Sequence, residues 1–271
     1  MEHILELARA RRSVRSFDGR ELCEADRKAL SDFIAELENP YGIPVNFRFL
    51  DAKAAGLTSP VISGTNCYLG AKVARMPHGE EAFGYSFEKL VLFAQSLGIG
   101  TTWIGGTMDR AAFERAMELT AEERMPCVTP LGYPAPKMSL RENMMRKGVR
   151  ADSREPFEAL FFDGDFRTPL SVASAGTLRE ALECVRLAPS AVNRQPWRAL
   201  VRGNGVYFYK KGGKGFQSDA AGDLQKVDLG IALCHFALCA EEGGLAPRFT
   251  LEAPELPFPE GLEYIAGFEL A

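Results

Sequence analysis

Residues 84–100 read GYSFEKLVLFAQSLGIG, and residues 230–246 read GIALCHFALCAEEGGLA. Both runs are apolar nearly all round, which predicts a helix buried on every side and not an amphipathic surface helix. Laid over each other without a gap, they place Gly84 on Gly230, Leu92 on Leu238 and Gly98 on Gly244. The segments upstream superpose as well. ENPYGIPVNFRFL (38–50) falls on APSAVNRQPWRAL (188–200), with Phe47 on Trp197, Arg48 on Arg198 and Leu50 on Leu200. PLGY (130–133) resembles IAGF (265–268). Each match is weak alone. The repeated order of helix, turn, strand, buried helix, Gly turn and strand predicts an α+β chain built twice over.

Outward from these runs, helices are predicted over 2–12 and 23–38. In the second, Leu30, Phe33, Ile34 and Leu37 recur at helical spacing, and Glu24 and Asp26 lie in the first turn. NFRFLDA alternates as a strand, and TNCYLGAKV reads as another. A short helix is expected from Asp109 to Met117, and PCVTPLGYP is a strand ended by prolines. Residues 137–168 are charged and irregular, with one helical turn near PFEALFF, and read as an extended arm. The pattern then restarts with a helix in TLREALECVRLA, a turn in APSAVNRQPW, strands in RALVRG and GVYFYKK, and a final strand in EYIAGFEL. The expected organisation is a first half over 1–168, its arm beginning near 137, and a second half over 169–271.

The 271 residues are 46% hydrophobic and 25% charged, with a net charge of −4. That balance argues against nucleic-acid or membrane-surface binding by bulk charge. MEHILELARARRS has neither an apolar signal core nor a cleavage site, so no signal peptide is expected. Runs such as LVLFA and IALCHFALCA are far shorter than the ~20 residues of a membrane span. A cytoplasmic protein is expected. Six cysteines occur without a CxxC pair, and the three histidines are scattered, so no metal site is expected. The cysteines read as small apolar residues in a reduced compartment. His235, mid-helix among apolar neighbours, reads as a satisfied core histidine.

The halves differ where chemistry is expected. Ser190, Asn193 and Gln195 project polar groups from a turn stiffened by Pro189 and Pro196. Their superposed positions are Pro40, Ile43 and Val45. Conversely, RRSVRSF (11–17) supplies Arg11, Arg12, Ser13 and Arg15, whereas TPLSVASAGTLRE ahead of the second half's first helix has no such cluster. GIGTTWIGG (98–106) closes on Gly-Gly, and GGLAPRFTLE (243–252) does not. Cations with a hydroxyl suit a phosphate and a polar headgroup. A Gly-Gly turn lets backbone N–H groups approach a flat ring. Amides and a hydroxyl suit the carbonyls, nitrogens and sugar hydroxyls of a phosphorylated planar cofactor. Singly, RRSVR also reads as a solvated helix end, APSAVNRQPW as a plain helix stop, KKGGK (210–214) as a loop tip, and Trp103 and Trp197 as core residues. Polar motifs set against apolar counterparts favour the site.

Together, RRSVRSF, APSAVNRQPW and SLGIGTTWIGG resemble the FMN-binding motifs of the nitroreductase family. That family forms homodimers of α+β subunits with FMN in the interface, the arginine cluster coming from one subunit and the PSxxNxQPW turn from the other. The chain resembles the TM nitroreductases, a subgroup with two such halves fused in one polypeptide. The resemblance implies a nitroreductase-like fold, two tandem halves forming a pseudo-dimer, one FMN per chain and a monomer in solution. The position built on Pro40, Ile43 and Val45 would stay empty.

The roles implied are these. Arg11, Arg12, Ser13 and Arg15 hold the phosphate, the ribityl chain and the N1/O2 edge, where a cation stabilises the anionic reduced flavin. Pro189, Ser190, Ala191, Asn193 and Gln195 reach the ring and ribityl hydroxyls from the other half. Ile104, Gly105 and Gly106 lie against the ring, with a backbone N–H near Gly105 aimed at N5. Lys147 and Arg150 complete the phosphate site. The implied activity is hydride transfer from NAD(P)H to FMN N5, followed by two-electron reduction of a nitro-aromatic, quinone or similar small-molecule acceptor. No catalytic side chain is required. GIGTTWIGG does not have the GxGxxG spacing of a dinucleotide fingerprint. The alternatives are a flavin-binding carrier or redox sensor without turnover, and other flavin chemistry on the same scaffold, such as dehalogenation or flavin cleavage.

Overall fold

The computed structural model describes residues 1–270. The chain opens with α1 (Ile4–Ala10) and α2 (Glu24–Ala35), the latter started by Cys23, whose Sγ accepts from the Asp26 N–H at 3.4 Å. Then come β1 (Val45–Asp51), the one-turn α3 (Ala52–Ala55), β2 (Cys67–Ala74), α4 (Gly79–Ser96) and α5 (Arg110–Ala116). The short β3 (Glu123–Arg124) and β4 (Val128–Leu131) follow. α6 (Leu140–Gly148), α7 (Phe157–Leu160) and β5 (Phe161–Asp163) make up the arm. The remainder is α8 (Arg179–Leu187), β6 (Trp197–Arg202), β7 (Gly205–Lys211), β8 (Gln217–Ser218), β9 (Gly222–Asp223), α9 (Leu224–Glu242), β10 (Pro247–Thr250) and β11 (Leu262–Leu270).

Two larger sheets flank a helical centre. In the first, β2 pairs antiparallel with β1 on one side and with β3 and β4 on the other. The second runs β10-β11-β7-β6-β5 and is antiparallel except where β5 lies parallel to β6. β8 and β9 form a separate two-stranded ribbon. Leu50 faces Tyr68 in the first sheet, and Leu200 faces Tyr207 in the second.

The two helices predicted to be buried, α4 and α9, pack directly on each other. A Cβ added at Gly84 would lie 2.1 Å from the carbonyl oxygen of Val227, and one at Gly230 would lie 2.0 Å from that of Glu81. Each glycine therefore admits the backbone three residues before the other, a reciprocal contact only a residue without a side chain allows. The helices also end alike. The Ile99 N–H donates to Ala94 O at 2.9 Å, and the Leu245 N–H to Ala240 O at 2.9 Å. Gly98 and Gly244 take φ of 73° and 78°, the left-handed conformation that closes a helix C-terminus. Around this pair one apolar core runs from Ile4 and Ala8 through Phe83, Phe87 and Phe236 to Phe208 and Phe268. Among the described residues no helix is long and apolar enough to cross a membrane.

The arm departs from the irregular segment expected over 137–168. Ser139 caps α6, its Oγ accepting from the Glu142 N–H at 3.1 Å. Further on, Phe157, Leu160 and Phe161 are buried in the main core, and β5 joins the second sheet with Phe161 opposite Ala199. The chain thus enters the second sheet before residue 169.

Candidate functional site

The helix α1 stops where Arg11 turns extended (φ −62°, ψ 128°), and the chain then docks on the Gly-rich turn through the Val14 N–H to Thr101 O at 2.8 Å. This docking presents Arg11, Arg12 and Ser13 to a cavity of about 340 Å³. Arg146 and Arg154 of the arm and Leu187 at the end of α8 close it. With Arg9, five guanidiniums border the cavity against one carboxylate, Asp152, which pairs with Arg146. Such an excess suits an anion with several oxygens, because each guanidinium offers a planar fork of donors.

Arg11 is nearly buried, and its Nε has no hydrogen-bond partner among the described residues; it lies 3.9 Å from Glu88 Oε1. Burial pulls its pKa below the usual guanidinium range; Glu88 opposes this and Arg146 adds to it. Arg154 is lowered too, first by burial and then by Arg11. Arg154 spends one Nη on the carbonyls of Ala151 (2.9 Å) and Ser153 (2.8 Å) and the other on Leu187 O (3.2 Å), while its Nε is also orphaned. Two cations lining one cavity, each with a buried Nε that lacks a partner, fit an anionic group such as a phosphate.

A carboxylate of the chain itself enters this cluster. Glu142, 1% exposed on α6, accepts from Arg12 Nη1 at 2.8 Å and from the Arg15 N–H at 3.3 Å. Arg15 is lowered mainly by burial, with Glu142 opposing.

The polar turn follows Leu187 without a break. Ser190 Oγ accepts from the Gln195 N–H at 2.8 Å, and the Ala191 N–H donates to Asp228 at 3.0 and 3.2 Å. Burial pushes the Asp228 carboxyl well above its usual range. Asn193 Nδ2 donates to the carbonyls of Arg150 (2.8 Å) and Ser153 (3.1 Å), and Gln195 Oε1 accepts from the Glu155 N–H at 2.9 Å. Val192, Asn193 and Gln195 hold φ of 45°, 58° and 48°. Three non-glycine residues in the left-handed region within four positions, one of them β-branched, are strained. Pro189 and Pro196 bracket the stretch. The amides of this turn thus clamp arm residues 150–155, which carry Arg154 into the cavity.

In the Gly-rich turn, Ile104 is buried and exchanges hydrogen bonds of 2.9 Å with Val128. Gly105 O accepts from Arg110 Nη2 at 2.8 Å, and Gly106 is exposed. A Cβ at Gly105 would lie 3.9 Å from Leu224 Cδ1, at the start of α9. Ala191 is tied to Asp228, one helical turn along. The Gly-rich turn and the polar turn therefore border the same first turn of α9, about 6 Å apart along its axis.

Of the expected positions Arg11, Arg12 and Ser13 line this cavity, whereas Arg15, the Gly-rich turn and the polar turn lie outside its lining. The side chains of Lys147 and Arg150 are exposed and do not line the cavity; Arg150 contributes only its carbonyl. The arm's arginines that line it are Arg146 and Arg154. The signal for Arg146 was present: a Ser139-x-x-Glu142 cap starts a helix, and Arg146 lies four residues after Glu142 on the same face. Sequence reasoning also missed Glu88. Trp103 is tied to Glu88 Oε2 through its Nε1 at 3.0 Å, and His235 meets Glu88 Oε1 at 2.9 Å. All six cysteines are free thiols, and among the described residues no cluster could hold a metal ion.

Residues 3–240 match the family model described as "Putative TM nitroreductase". Among solved structures, a putative nitroreductase from Thermotoga maritima is similar at a TM-score of 0.64 and 21% identity, over 98% of this chain and 93% of that one. A nitroreductase family protein from Clostridium novyi NT matches 50% of this chain and 87% of its own, at a TM-score of 0.43 and 18% identity. One from Clostridium difficile 630 matches 59% and 96%, at 0.45 and 13%. A search of the curated proteins finds no match.

Proposed function

The chain belongs to the TM nitroreductase family and has its α+β fold, and from that premise we propose an FMN-dependent NAD(P)H oxidoreductase made of two fused nitroreductase-like halves. The observation that carries this reading is the single cavity shared by Arg11, Arg12 and Ser13 with Arg146 and Arg154, two of whose guanidiniums have orphaned buried donors. The reciprocal contacts of Gly84 and Gly230 and the matching ends of α4 and α9 support the two-half reading.

When bound, FMN would supply the two-electron step, taking hydride from the nicotinamide donor and passing electrons to a nitro-aromatic, quinone or similar acceptor. The chain's own part is to bind and orient. Arg12, Arg146 and Arg154 would hold the phosphate, in the place first expected for Lys147 and Arg150. Arg11 and Arg15 would hold positive charge at the ring's electron-poor edge, where it favours the reduced form. Ser190, Asn193 and Gln195 would turn from the arm to the ribityl chain and ring edge. Gly105 and Gly106, without side chains, would let the backbone approach the ring face. Glu142 competes for Arg12, so phosphate binding and the position of α6 are linked.

Titration of the purified chain with FMN, followed in the visible spectrum, tests this. Saturation near one FMN per chain is expected, followed by bleaching on anaerobic addition of NADH or NADPH. Absence of binding would overturn the reading, and two FMN per chain would overturn the complementary halves. Binding without bleaching would leave a flavin-binding protein without turnover.

A further inference from the structure

Behind the cation cavity lies a buried polar chain whose centre is Glu88, midway along α4. Glu88, His235 and Cys184 are all fully buried. Glu88 Oε2 accepts from Trp103 Nε1 at 3.0 Å. Its Oε1 lies 2.9 Å from His235 Nε2 and 3.9 Å from Arg11 Nε. His235 Nδ1 lies 2.9 Å from the carbonyl oxygen of Cys184. One carboxyl thus touches the end of α1, the Gly-rich turn and α9.

Hydrogen bookkeeping narrows the charge state. The carbonyl oxygen only accepts, and at 2.9 Å it lies nearer to His235 Nδ1 than the Cys184 Sγ does at 3.4 Å, which places hydrogen on Nδ1. One more proton occupies the short contact between His235 Nε2 and Glu88 Oε1. Glu88 Oε2 is not its place, because the indole N–H already donates there. The guanidinium of Arg11 lies beside the same oxygen, 3.9 Å away. The assignment tested below puts that proton on His235, so that the row reads cation, anion, cation.

We infer that Glu88 is a positioning residue of the cofactor site, holding Arg11 from behind, offsetting part of its charge toward the cavity, and anchoring the Gly-rich turn through Trp103. This rests on the flavin reading above. Replacing Glu88 by Gln keeps the shape and every hydrogen bond: the amide oxygen accepts from Trp103, and the amide N–H donates to a neutral His235. What it removes is the negative charge nearest Arg11. The proton on His235 leaves with it, so the net charge of the pair does not change; because the lost anion is the member beside Arg11, the potential at the cavity still rises slightly, and an anionic reduced cofactor gains over a neutral oxidised one.

Two measurements decide it. In the wild-type protein without cofactor, long-range 1H–15N NMR of the imidazoles reads His235 directly, since only His3 and His78 share that window. Both ring nitrogens protonated in the wild type, and only Nδ1 in Glu88→Gln, is the expected result. A neutral His235 in the wild type overturns the charge assignment, and that measurement needs no variant to fold. In the FMN-loaded protein, Glu88→Gln should favour the reduced form about threefold, a rise of about 15 mV in the two-electron potential. An unchanged potential in a variant that melts like the wild type overturns the inference, because a merely structural Glu88 would change melting alone. If the wild type binds no FMN, the flavin reading fails by itself, and the imidazole spectrum still decides the Glu88 assignment.

Discussion

Arg12 Nη1 donates to Glu142 Oε1 at 2.8 Å, across a sequence separation of 130 residues. The same carboxylate takes the Arg15 N–H, so an internal anion sits where the arginine cluster is proposed to hold phosphate. Glu142→Gln should therefore tighten FMN binding, by about tenfold if one charge-assisted contact worth about 1.5–3 kcal/mol no longer competes. Quenching of flavin fluorescence measures this. Weaker binding would mean that Glu142 orients Arg12 for the ligand and does not compete with it.

Arg154→Ala should weaken FMN binding about 10- to 100-fold, since it removes a cation with an orphaned donor from the cavity wall. Lys147→Ala, at an exposed side chain, should leave the affinity within about twofold. Dissociation constants for the two variants, measured side by side, separate the cavity lining from the general basic character of the arm. Equal losses would remove the distinction.

Gly230→Ala should destabilise the fold by about 3 kcal/mol or more, because the added methyl meets the backbone oxygen of Glu81 at 2.0 Å. Gly84→Ala should do the same against Val227, and the double variant should cost less than the two singles combined, since either one already separates α4 from α9. Urea unfolding gives these values. A neutral Gly230→Ala would show that the helices part freely.

Burial raises the Glu81 carboxyl from 4.5 to about 7, with Lys226, 3.8 Å away, opposing. The folded state therefore binds more protons than the unfolded chain between those values. Stability should fall as pH rises from 4.5 to 7, with a full loss from this group of about 3 kcal/mol above pH 7. Glu81→Gln should flatten that slope and be the more stable form at pH 8. Parallel pH profiles for the two proteins would show that Glu81 is charged at no cost.

The parts legible in the sequence were those with a dense local signal. Uniform apolarity announced α4 and α9, and the aligned pairs Gly84–Gly230 and Gly98–Gly244 are the positions where the helices touch and end. RRSVRSF and APSAVNRQPW stood out because their superposed positions are blank. The arm was illegible for a different reason. Its charge masked α6 even though the Ser139-x-x-Glu142 cap was there to be read, and a three-residue strand such as β5 has too few positions to show alternation. Lys147 and Arg150 were named where Arg146 and Arg154 line the cavity, because composition names the residue type but only the helix face names the residue. Glu88 gave no local sign, since its partner His235 lies 147 residues away and each looks like an isolated polar residue in an apolar run.

The parallel pairing of β5 with β6 has a consequence for assembly. It makes the three-residue β5 the edge of the second sheet in place of the six-residue β6, and a shorter edge is a poorer template for a strand from a neighbouring molecule. Because the covering strand is tethered to the same chain, it is present at millimolar effective concentration however dilute the protein becomes. A fragment lacking the arm would expose the whole of β6 and should self-associate more readily than the intact chain.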